Sequence, residues 1–244
     1  MRTKVEFLVR KKVLGHATLL ALPSEGCIGP VNTVLEGEYE CWLNGRGLNI
    51  LDLGAHVGSF AIWAMHRYPG STVDCYEPVS GTFELLKRNT EFYRKWIVPH
   101  NAMVTTQPGP RAEITYDTRC LTRAGFFKPA IAPAVAGALK TEWVNVVHPG
   151  RFASFDMIKI DVEGRDFEVL NALDLRGVTV VHIEPHTQDN WNNIAALMLC
   201  RGFYLRSANL PPNMGGVATF IRKDLGAKFE DIWVNADEAP VLDL

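Results

Sequence analysis

The sequence predicts a doubly wound α/β fold, in which helices cover both faces of a largely parallel β-sheet. Short apolar runs of strand length alternate along the chain with longer stretches in which apolar residues recur at helical spacing. Several of the apolar runs end at a glycine or a proline, which is typical of strands that stop at a turn. With 244 residues, of which 47% are hydrophobic, the chain is long enough to bury the core of one such domain.

Strands and helices are predicted in a regular order from residue 48 onwards. Strands are predicted at 48–53, 72–77, within 97–106, and at 111–118, 157–161, 178–184, 203–207 and 217–221. Helices are predicted at 60–68, 83–96, 165–175 and 191–201. The alternation of the two kinds of element favours a parallel sheet whose crossover connections are helical.

Two segments are less regular than the rest of the chain. Residues 1–47 contain short apolar runs separated by glycines and prolines, and we predict a lead-in of short strands and helical turns that packs on the core. The main domain then spans residues 48–244. Within it, residues 119–150 mix glycine and proline with alanines and aromatics, and we predict an insertion or a lid there. Phe83, Phe92, Tyr93 and Trp96 recur at helical spacing, which predicts core positions rather than a platform for stacked bases.

Charge and cysteine content narrow the classes of protein to which this chain belongs. A formal net charge of −2 counts against a protein that wraps nucleic acid, because such proteins carry a basic excess. The five cysteines are scattered, with no pair spaced for zinc, and we interpret them as reduced thiols. No apolar run approaches the roughly 18 residues of a membrane helix, and charges interrupt the basic N-terminal stretch before a signal peptide forms. A cytoplasmic protein without a membrane partner is therefore predicted.

The junction from Asp52 to Gly58 is the strongest chemical signal in the sequence. A glycine turn between a strand and a helix exposes backbone N–H groups and the positive helix end to a ligand. A dinucleotide fingerprint would need glycine in place of His56, so NAD and FAD are disfavoured. S-adenosylmethionine has no phosphate and tolerates a bulkier residue there, so Gly54, Ala55, His56 and Gly58 are candidate cofactor-binding residues. A purely structural tight turn is the alternative.

Glu77 supports the cofactor interpretation of this turn. It stands at the carboxyl end of the second predicted strand, about 20 residues after the turn, where an acidic side chain can accept hydrogen bonds from both ribose hydroxyls. If the glycine turn were absent, we would interpret Glu77 as a solvated carboxylate in the loop before Pro78. Together, the turn and Glu77 predict an adenosine-containing cofactor.

Acidic residues also follow the strand predicted at 157–161. Asp161 and Glu163 lie at the carboxyl end of that strand, the edge at which open α/β sheets bind their ligands. A carboxylate there can orient the donor or the acceptor of a transferred group. Glu163 has a second interpretation, as a residue that interacts with the positive end of the next helix. Lys159, on the same strand, is interpreted as the support of a carboxylate.

His182, Glu184 and His186 alternate along the strand predicted at 178–184 and just after it. In an extended chain, alternate side chains point to one side, so the three residues are predicted to face the same way. An imidazole or a carboxylate there can accept a proton, and the trio could also bind a metal ion. A buried histidine or glutamate is often only structural, and we predict no metal.

Three stretches of the sequence resemble the FkbM family of class I methyltransferases. They are Ile50-Leu51-Asp52-Leu53-Gly54-Ala55-His56-Val57-Gly58-Ser59-Phe60, Tyr76-Glu77-Pro78 and Ile158-Lys159-Ile160-Asp161-Val162-Glu163-Gly164. The resemblance covers about residues 48–221, and its last stretch is the most specific. It implies a Rossmann-like sheet of seven strands with an antiparallel last strand. It further implies S-adenosylmethionine as methyl donor, and methylation of an oxygen, less often a nitrogen, on small metabolites, sugars or peptides.

The resemblance also implies roles for individual residues. Asp52, Gly54 and Gly58 match the cofactor loop of the family and Glu77 its ribose acceptor, while Asn101 and Ala102 match, more loosely, the strand end beside the adenine. Asp161 and Glu163 match the acidic pair of the family. His56 and Asp166 depart from it, because asparagine and glutamate are common at these two positions. Residues 120–149 show no pattern of the family, so the methyl acceptor stays open.

These observations predict an S-adenosylmethionine-dependent methyltransferase that acts on a small molecule, a sugar or a peptide. Methyl transfer needs the nucleophile, the methyl group and the sulfur in line, and a base where the nucleophile carries a proton. Glu184 or His186 is predicted as the base, and Asp161 as an orienting residue. A nucleic-acid methyltransferase and a non-catalytic module of the same fold are the alternatives. The overall charge and the absence of an N-P-P-[YF] motif count against the first.

Overall fold

A computed structural model describes residues 7–13, 16–22, 27–117, 120–125, 139–210, 216–225 and 228–231. Within these ranges the strands are β1 (Phe7–Val13), β2 (His16–Leu22), β3 (Leu43–Gly45), β4 (Asn49–Leu53), β5 (Thr72–Tyr76), β6 (Ile97–His100), β7 (Met103–Val104), β8 (Arg111–Asp117), β9 (Cys120–Gly125), β10 (Leu139–Val147), β11 (Met157–Ile160), β12 (Val180–Ile183), β13 (Phe203–Ala208), β14 (Ala218–Arg222) and β15 (Phe229–Asp231). The α-helices are α1 (Ile28–Leu35), α2 (Ser59–Arg67), α3 (Ser80–Thr90), α4 (Asp166–Ala172) and α5 (Gln188–Cys200). None of the described helices is long and apolar enough to cross a membrane.

A seven-stranded sheet forms the centre of the molecule, in the order β13-β14-β12-β11-β4-β5-β6. All neighbouring strands are parallel except at β14, which runs antiparallel to both β12 and β13. The predicted fold class, a mostly parallel sheet of seven strands with an antiparallel last strand, is confirmed. Because the five parallel strands end at one edge, the loops after them meet there.

Helices cover both faces of this sheet, because its central strands carry apolar side chains on alternate sides. On one face, Ile50 of β4 belongs to a buried cluster with Trp63 of α2 and Leu86 of α3. On the other face, Leu51 of β4 belongs to a second cluster, with Met198 of α5. The sheet therefore lies between two apolar layers, and the edge where the loops meet is left for polar residues.

The N-terminal lead-in contributes to the first of these layers. β1 and β2 form an antiparallel hairpin, and α1 follows them. Leu20, Val31 and Tyr39 are buried in the same apolar cluster as Ile50 and Trp63. These described residues of the lead-in thus pack on the α2 side of the sheet, and the charge of Asp161, which follows β11, acts on Glu38 in the turn after α1.

A smaller sheet of four strands, in the order β7-β10-β8-β9, follows the third parallel strand. It contains the strand predicted at 111–118, which is confirmed as β8. The predicted insertion or lid at 119–150 includes residues 126–138, which lie outside the described residues. Its described part contains β9 and β10, where no regular element was predicted. In β10 only Val144 is buried, so the alternation that identifies a strand is weak there.

Two of the predicted core aromatics lie at the surface instead. Helix α3 ends at Thr90, and a 3₁₀ turn from Glu91 to Tyr93 follows it. Phe92 is 83% exposed and Trp96 is 41% exposed, because the helix ends before these residues although the helical spacing continues in the sequence. Phe83 and Tyr93 pack against the core as predicted.

Candidate functional site

The predicted site residues meet at the carboxyl edge of the parallel strands. Asp52 lies on β4, and the others lie in the loops that follow β4, β5, β6, β11 and β12. In chain order, the residues in those loops are Gly54, Ala55, His56, Gly58, Glu77, Asn101, Ala102, Asp161, Glu184 and His186. Residues that are far apart in sequence are thus brought to one side of the sheet.

The loop after β4 depends on two glycines with positive φ. Gly54 has φ +78°, and a Cβ atom added there would stand 1.8 Å from the carbonyl oxygen of Asp161. Gly58 has φ +89°, and a Cβ atom there would stand 2.8 Å from Leu86 and 2.9 Å from Thr90. Both positions therefore combine a left-handed backbone with a close approach, which only glycine accommodates without displacement of its neighbours.

Three backbone N–H groups of this loop are already paired within the protein. Gly54 and Ala55 both donate to the carbonyl of Tyr76, each at 3.0 Å, and His56 donates to Oε2 of Glu77 at 3.0 Å. We predicted that this turn exposes its backbone N–H groups to a ligand. That prediction is wrong for the N–H groups of Gly54, Ala55 and His56. They join the β4 loop to the end of β5, so the turn is also a structural junction.

Glu77 is buried, at 6% exposure, in the position where the second parallel strand ends. Its carboxylate accepts the N–H of His56 on one oxygen and the N–H of Val79, at 2.8 Å, on the other. Burial raises the pKa of Glu77 to about 8, and the two N–H donors only partly oppose this effect. Each oxygen retains a second lone pair, so the carboxylate can accept further hydroxyl groups from a ligand.

Asn101 stabilises the turn that carries Glu77. Its side-chain amide donates to the carbonyl oxygens of Glu77, at 2.9 Å, and of Pro78, at 3.0 Å. Ala102, which follows it, is buried. The loop after β6 therefore holds the loop after β5 in place, a role that the sequence did not indicate.

His56 carries a polar atom that no described residue pairs with. Its Nε2 atom is buried and has no hydrogen-bond partner among the described residues, and its backbone has φ +50°. Burial lowers the pKa of His56 to about 4, and the charge of Lys159 acts in the same direction. The imidazole is therefore neutral at physiological pH and has one ring nitrogen available for a ligand.

Lys159 neutralises two carboxylates at the centre of the sheet. It lies opposite Asp52 in the register of β11 and β4. Its Nζ atom donates to the carbonyl of Gly54 at 2.6 Å and is 3.4 Å from Asp52 and 3.5 Å from Asp161. Burial would lower the pKa of Lys159, but the two carboxylates outweigh it and raise the pKa, so the ammonium stays charged. Lys159 therefore supports a carboxylate, as the sequence indicated, and it interacts with two of them, those of Asp52 and Asp161.

His186 is surrounded by carboxylates on both of its ring nitrogens. Nδ1 is 2.9 Å from Asp166, and Nε2 is 3.4 Å from Glu163 and 3.8 Å from Asp161. Burial would lower the pKa of His186, but the hydrogen bond and charge of Asp166, together with the charges of Glu163 and Asp161, raise it to about 10. The side chain is therefore an imidazolium in this arrangement, which argues against His186 as a proton acceptor.

The other acidic groups at this edge hold their protons more tightly than usual. Burial, and then the charge of Asp161, raise the pKa of Glu163 to about 8 and that of Glu184 to about 7. In both cases the charge of His186 opposes the shift. Acidic side chains are thus concentrated where β11 and β12 end, and their proximity and burial disfavour ionisation of all of them together.

His182 does not join Glu184 and His186, contrary to the alternation argument. It is fully buried, its Nδ1 atom is 2.9 Å from the hydroxyl of Thr219, and its ring lies 5.4 Å from that of Tyr39. Burial lowers the pKa of His182 to about 3. β12 ends at Ile183, so the extended geometry assumed for the trio does not continue to His186. His182 is a neutral core residue.

The lead-in contributes two site residues that sequence analysis missed. The charges of Asp161 and Lys159 act on the carboxyl of Glu38, whose pKa is raised mainly by burial. Tyr39 is buried beside them, and burial raises its pKa well above the usual range. No motif marks these positions, because their place at the site follows from the path of the chain after α1.

Comparisons with known proteins identify the fold. No family model matches the sequence, and no curated protein matches it either. Among solved structures, methyltransferase FkbM from Methylobacillus flagellatus KT is similar to this chain, with a TM-score of 0.50 and 14% sequence identity over 72% of this chain. The fold is that of the class I methyltransferases. The matched region covers 43% of the FkbM protein, so this chain spans less than half the length of that relative.

Two further solved structures are similar over most of this chain. Precorrin-6y C5,15-methyltransferase from Geobacter metallireducens GS-15 has a TM-score of 0.45 and 14% identity, over 79% of this chain and 86% of its own. The M. jannaschii protein TYW2, in complex with AdoMet, has a TM-score of 0.48 and 12% identity, over 95% of this chain and 89% of its own.

Proposed function

We propose that this chain is an S-adenosylmethionine-dependent methyltransferase of the FkbM type. Its acceptor is an oxygen, or less often a nitrogen, of a small metabolite, a sugar or a peptide. The observation that carries the proposal is the buried carboxylate of Glu77, held by two backbone N–H groups at the ligand-binding edge of a class I methyltransferase fold. An acidic group at this strand end is suited to the ribose of a nucleoside cofactor.

The residues around Glu77 fit S-adenosylmethionine. Glu77 would accept the ribose hydroxyls, and the neutral imidazole of His56 offers its unpartnered Nε2 to a polar group of the cofactor. Gly54, Ala55 and Gly58 shape the loop beside them. Bound there, the cofactor supplies an electrophilic methyl group on a sulfonium. A dinucleotide is disfavoured, because His56 occupies the position at which a pyrophosphate needs glycine.

Asp161 and Glu184 would prepare the acceptor. Both follow central strands, and the N–H of Glu184 donates to the carbonyl of Ile160, at 3.0 Å, which fixes Glu184 beside Asp161. We assign Glu184 as the group that takes the proton of the acceptor, and Asp161 as an orienting group. His186 is not assigned as the base, because carboxylates face both of its ring nitrogens.

The acidic edge also favours a small or neutral acceptor over a nucleic acid. Glu38, Asp161, Glu163 and Glu184 interact electrostatically at the ends of β11 and β12. An edge lined by acidic groups does not attract a phosphate backbone, whereas nucleic-acid enzymes present basic surfaces to their substrates.

Calorimetry tests the cofactor. We expect measurable binding of S-adenosylmethionine and S-adenosylhomocysteine and none of NAD. Glu77→Ala should weaken binding of S-adenosylhomocysteine by about 1–3 kcal/mol, since it removes the acceptor of the ribose hydroxyls. Glu84→Ala, on the exposed side of α3, is the matched control and should bind as the wild type does. Binding of NAD alone, or equal affinity in the Glu77 variant and its control, would contradict the proposal.

The assignment of Glu184 predicts a separation of catalysis from cofactor binding. Glu184→Gln should lower turnover roughly 100-fold, at the lower end of the range for general bases, because Asp161 and Glu163 remain beside the acceptor. The affinity for S-adenosylhomocysteine should stay the same. Asp189→Asn, on the first turn of α5, serves as the control for the loss of one negative charge. Turnover that is equal in the two variants would remove Glu184 from the mechanism.

A further inference from the structure

Three ligand-type atoms converge where β11 and β12 end. Each of Asp161, Glu163 and His186 contributes one carboxylate oxygen or ring nitrogen, and these three atoms lie within 4.8 Å of one another. The Nε2 atom of His186 is 3.4 Å from Glu163 and 3.8 Å from Asp161. Sequence analysis considered a metal only at His182, Glu184 and His186, a set that the structure does not bring together.

These separations are close to those in an occupied metal site. Bonds of about 2.0–2.2 Å from a first-row divalent ion to nitrogen or oxygen place neighbouring ligand atoms roughly 3.0–3.5 Å apart. The distance from His186 to Glu163 already lies in this range, and that from His186 to Asp161 exceeds it by a few tenths of an ångström. Small rotations of the half-buried carboxylates of Asp161 and Glu163 would complete the geometry.

His186 is oriented in the way that metal-binding histidines usually are. Its Nδ1 atom is hydrogen-bonded, at 2.9 Å, to Asp166, whose side chain is fully buried. Asp166 is fixed in turn by the N–H groups of Val162, at 3.0 Å, and Gly164, at 3.2 Å. A carboxylate on one ring nitrogen sets the tautomer that leaves the lone pair of the other nitrogen for a metal. In the metal-free protein Nε2 carries a proton, which the ion would displace, and this nitrogen lies 3.4 Å from Glu163 and 3.8 Å from Asp161.

The charge around the three atoms favours a cation. Glu38 and Glu184 add further carboxyl groups beside Asp161 and Glu163, and Asp166 faces the other ring nitrogen of His186. Lys159 is shared by Asp161, Asp52 and the carbonyl of Gly54. A divalent ion beside Asp161 and Glu163 would favour the ionised form of these carboxyl groups.

We propose that Asp161, Glu163 and His186 bind one divalent transition-metal ion, with Asp166 as the residue that orients His186. Two carboxylates and one imidazole suit Mn²⁺, Fe²⁺ or Zn²⁺, whereas Ca²⁺ prefers sites made of oxygen alone. Three protein ligands leave coordination positions open for an oxygen of the methyl acceptor. This role toward the acceptor rests on the proposed function, but the binding of the ion does not.

Titration of the metal-stripped protein with Mn²⁺ tests the site. The signal of free Mn²⁺ in electron paramagnetic resonance should show saturable binding of one ion per chain, and Ca²⁺ should compete poorly. His186→Ala and Glu163→Gln should each weaken binding by at least about 10-fold. Asp166→Asn should weaken it about 10- to 100-fold, although all three ligands remain. Asp174→Asn removes a carboxylate that pairs with exposed Arg176, and it should bind as the wild type does.

Two results would overturn the metal site. One is the absence of saturable Mn²⁺ binding by the wild type, which would leave the imidazolium of His186 and the ammonium of Lys159 as the cations beside these carboxylates. The other is equal affinity in Glu163→Gln and in the wild type, which would mean that Mn²⁺ binds elsewhere. Thermal melting verifies that each variant is folded. Binding of S-adenosylhomocysteine, measured on the same metal-free protein, distinguishes a failed metal site from a failed proposed function.

Discussion

Gly54→Ala is expected to remove most of the stability of the protein, even without a cofactor. The new methyl group would stand 1.8 Å from the carbonyl oxygen of Asp161, and the backbone has φ +78°. Relief of this clash requires β4 and β11, two neighbouring strands at the centre of the sheet, to separate. We expect a loss of more than about 4 kcal/mol in the free energy of unfolding, a large part of the stability of an ordinary domain.

Gly177→Ala is the matched control for this variant. Gly177 has φ +83°, but no atom of the described residues lies within 4 Å of the Cβ position. Its replacement should cost about 1–2 kcal/mol, which is the backbone strain alone. Urea unfolding followed by circular dichroism measures both variants. Similar losses of stability at the two positions would show that the close approach of Asp161 to Gly54 adds nothing to the cost of placing an alanine in a left-handed backbone conformation.

Lys159→Met is expected to cost about 3–5 kcal/mol, because it leaves the fully buried Asp52 without its counter-ion. The carbonyl of Gly54 also loses its donor. Asp52→Asn in the Lys159→Met background should restore part of this loss, since it removes the uncompensated charge. Lys87→Met breaks an exposed pair with Glu84 and should change stability by less than about 0.5 kcal/mol.

The loss caused by Lys159→Met should depend on pH. Burial already raises the pKa of Asp52 above its usual value, and without Lys159 the opposing effect is gone. An acid whose pKa is higher in the folded state binds a proton more readily there, so stability falls as pH rises through that pKa. The difference between variant and wild type should therefore shrink as pH is lowered from 8 toward 5. A difference that does not change with pH would show that Asp52 is not the group left uncompensated.

Local patterns in the sequence were sufficient to predict the framework of the site. Short apolar runs identified β4, β5, β11 and β12, since a buried parallel strand needs apolar side chains on both faces. The topology of such sheets then places Asp52, Glu77, Asp161 and Glu184 at one edge. The aromatics after α3 were mispredicted because a periodicity continues in the sequence after the helix itself has ended.

Only the tertiary structure decided which of the polar residues meet. His182 was grouped with His186 by spacing, yet its place in the core depends on packing against Tyr39 and a hydrogen bond to Thr219. Glu38 reaches the site through the path of the lead-in, for which no local pattern exists. The sequence by itself determined the strands of the seven-stranded sheet, their order of alternation with helices and the glycine turn after β4, because these depend on neighbours along the chain. The pairing of His186 with Asp166, Glu163 and Asp161 depends on the distance between two loops in space, which spacing along the chain does not encode.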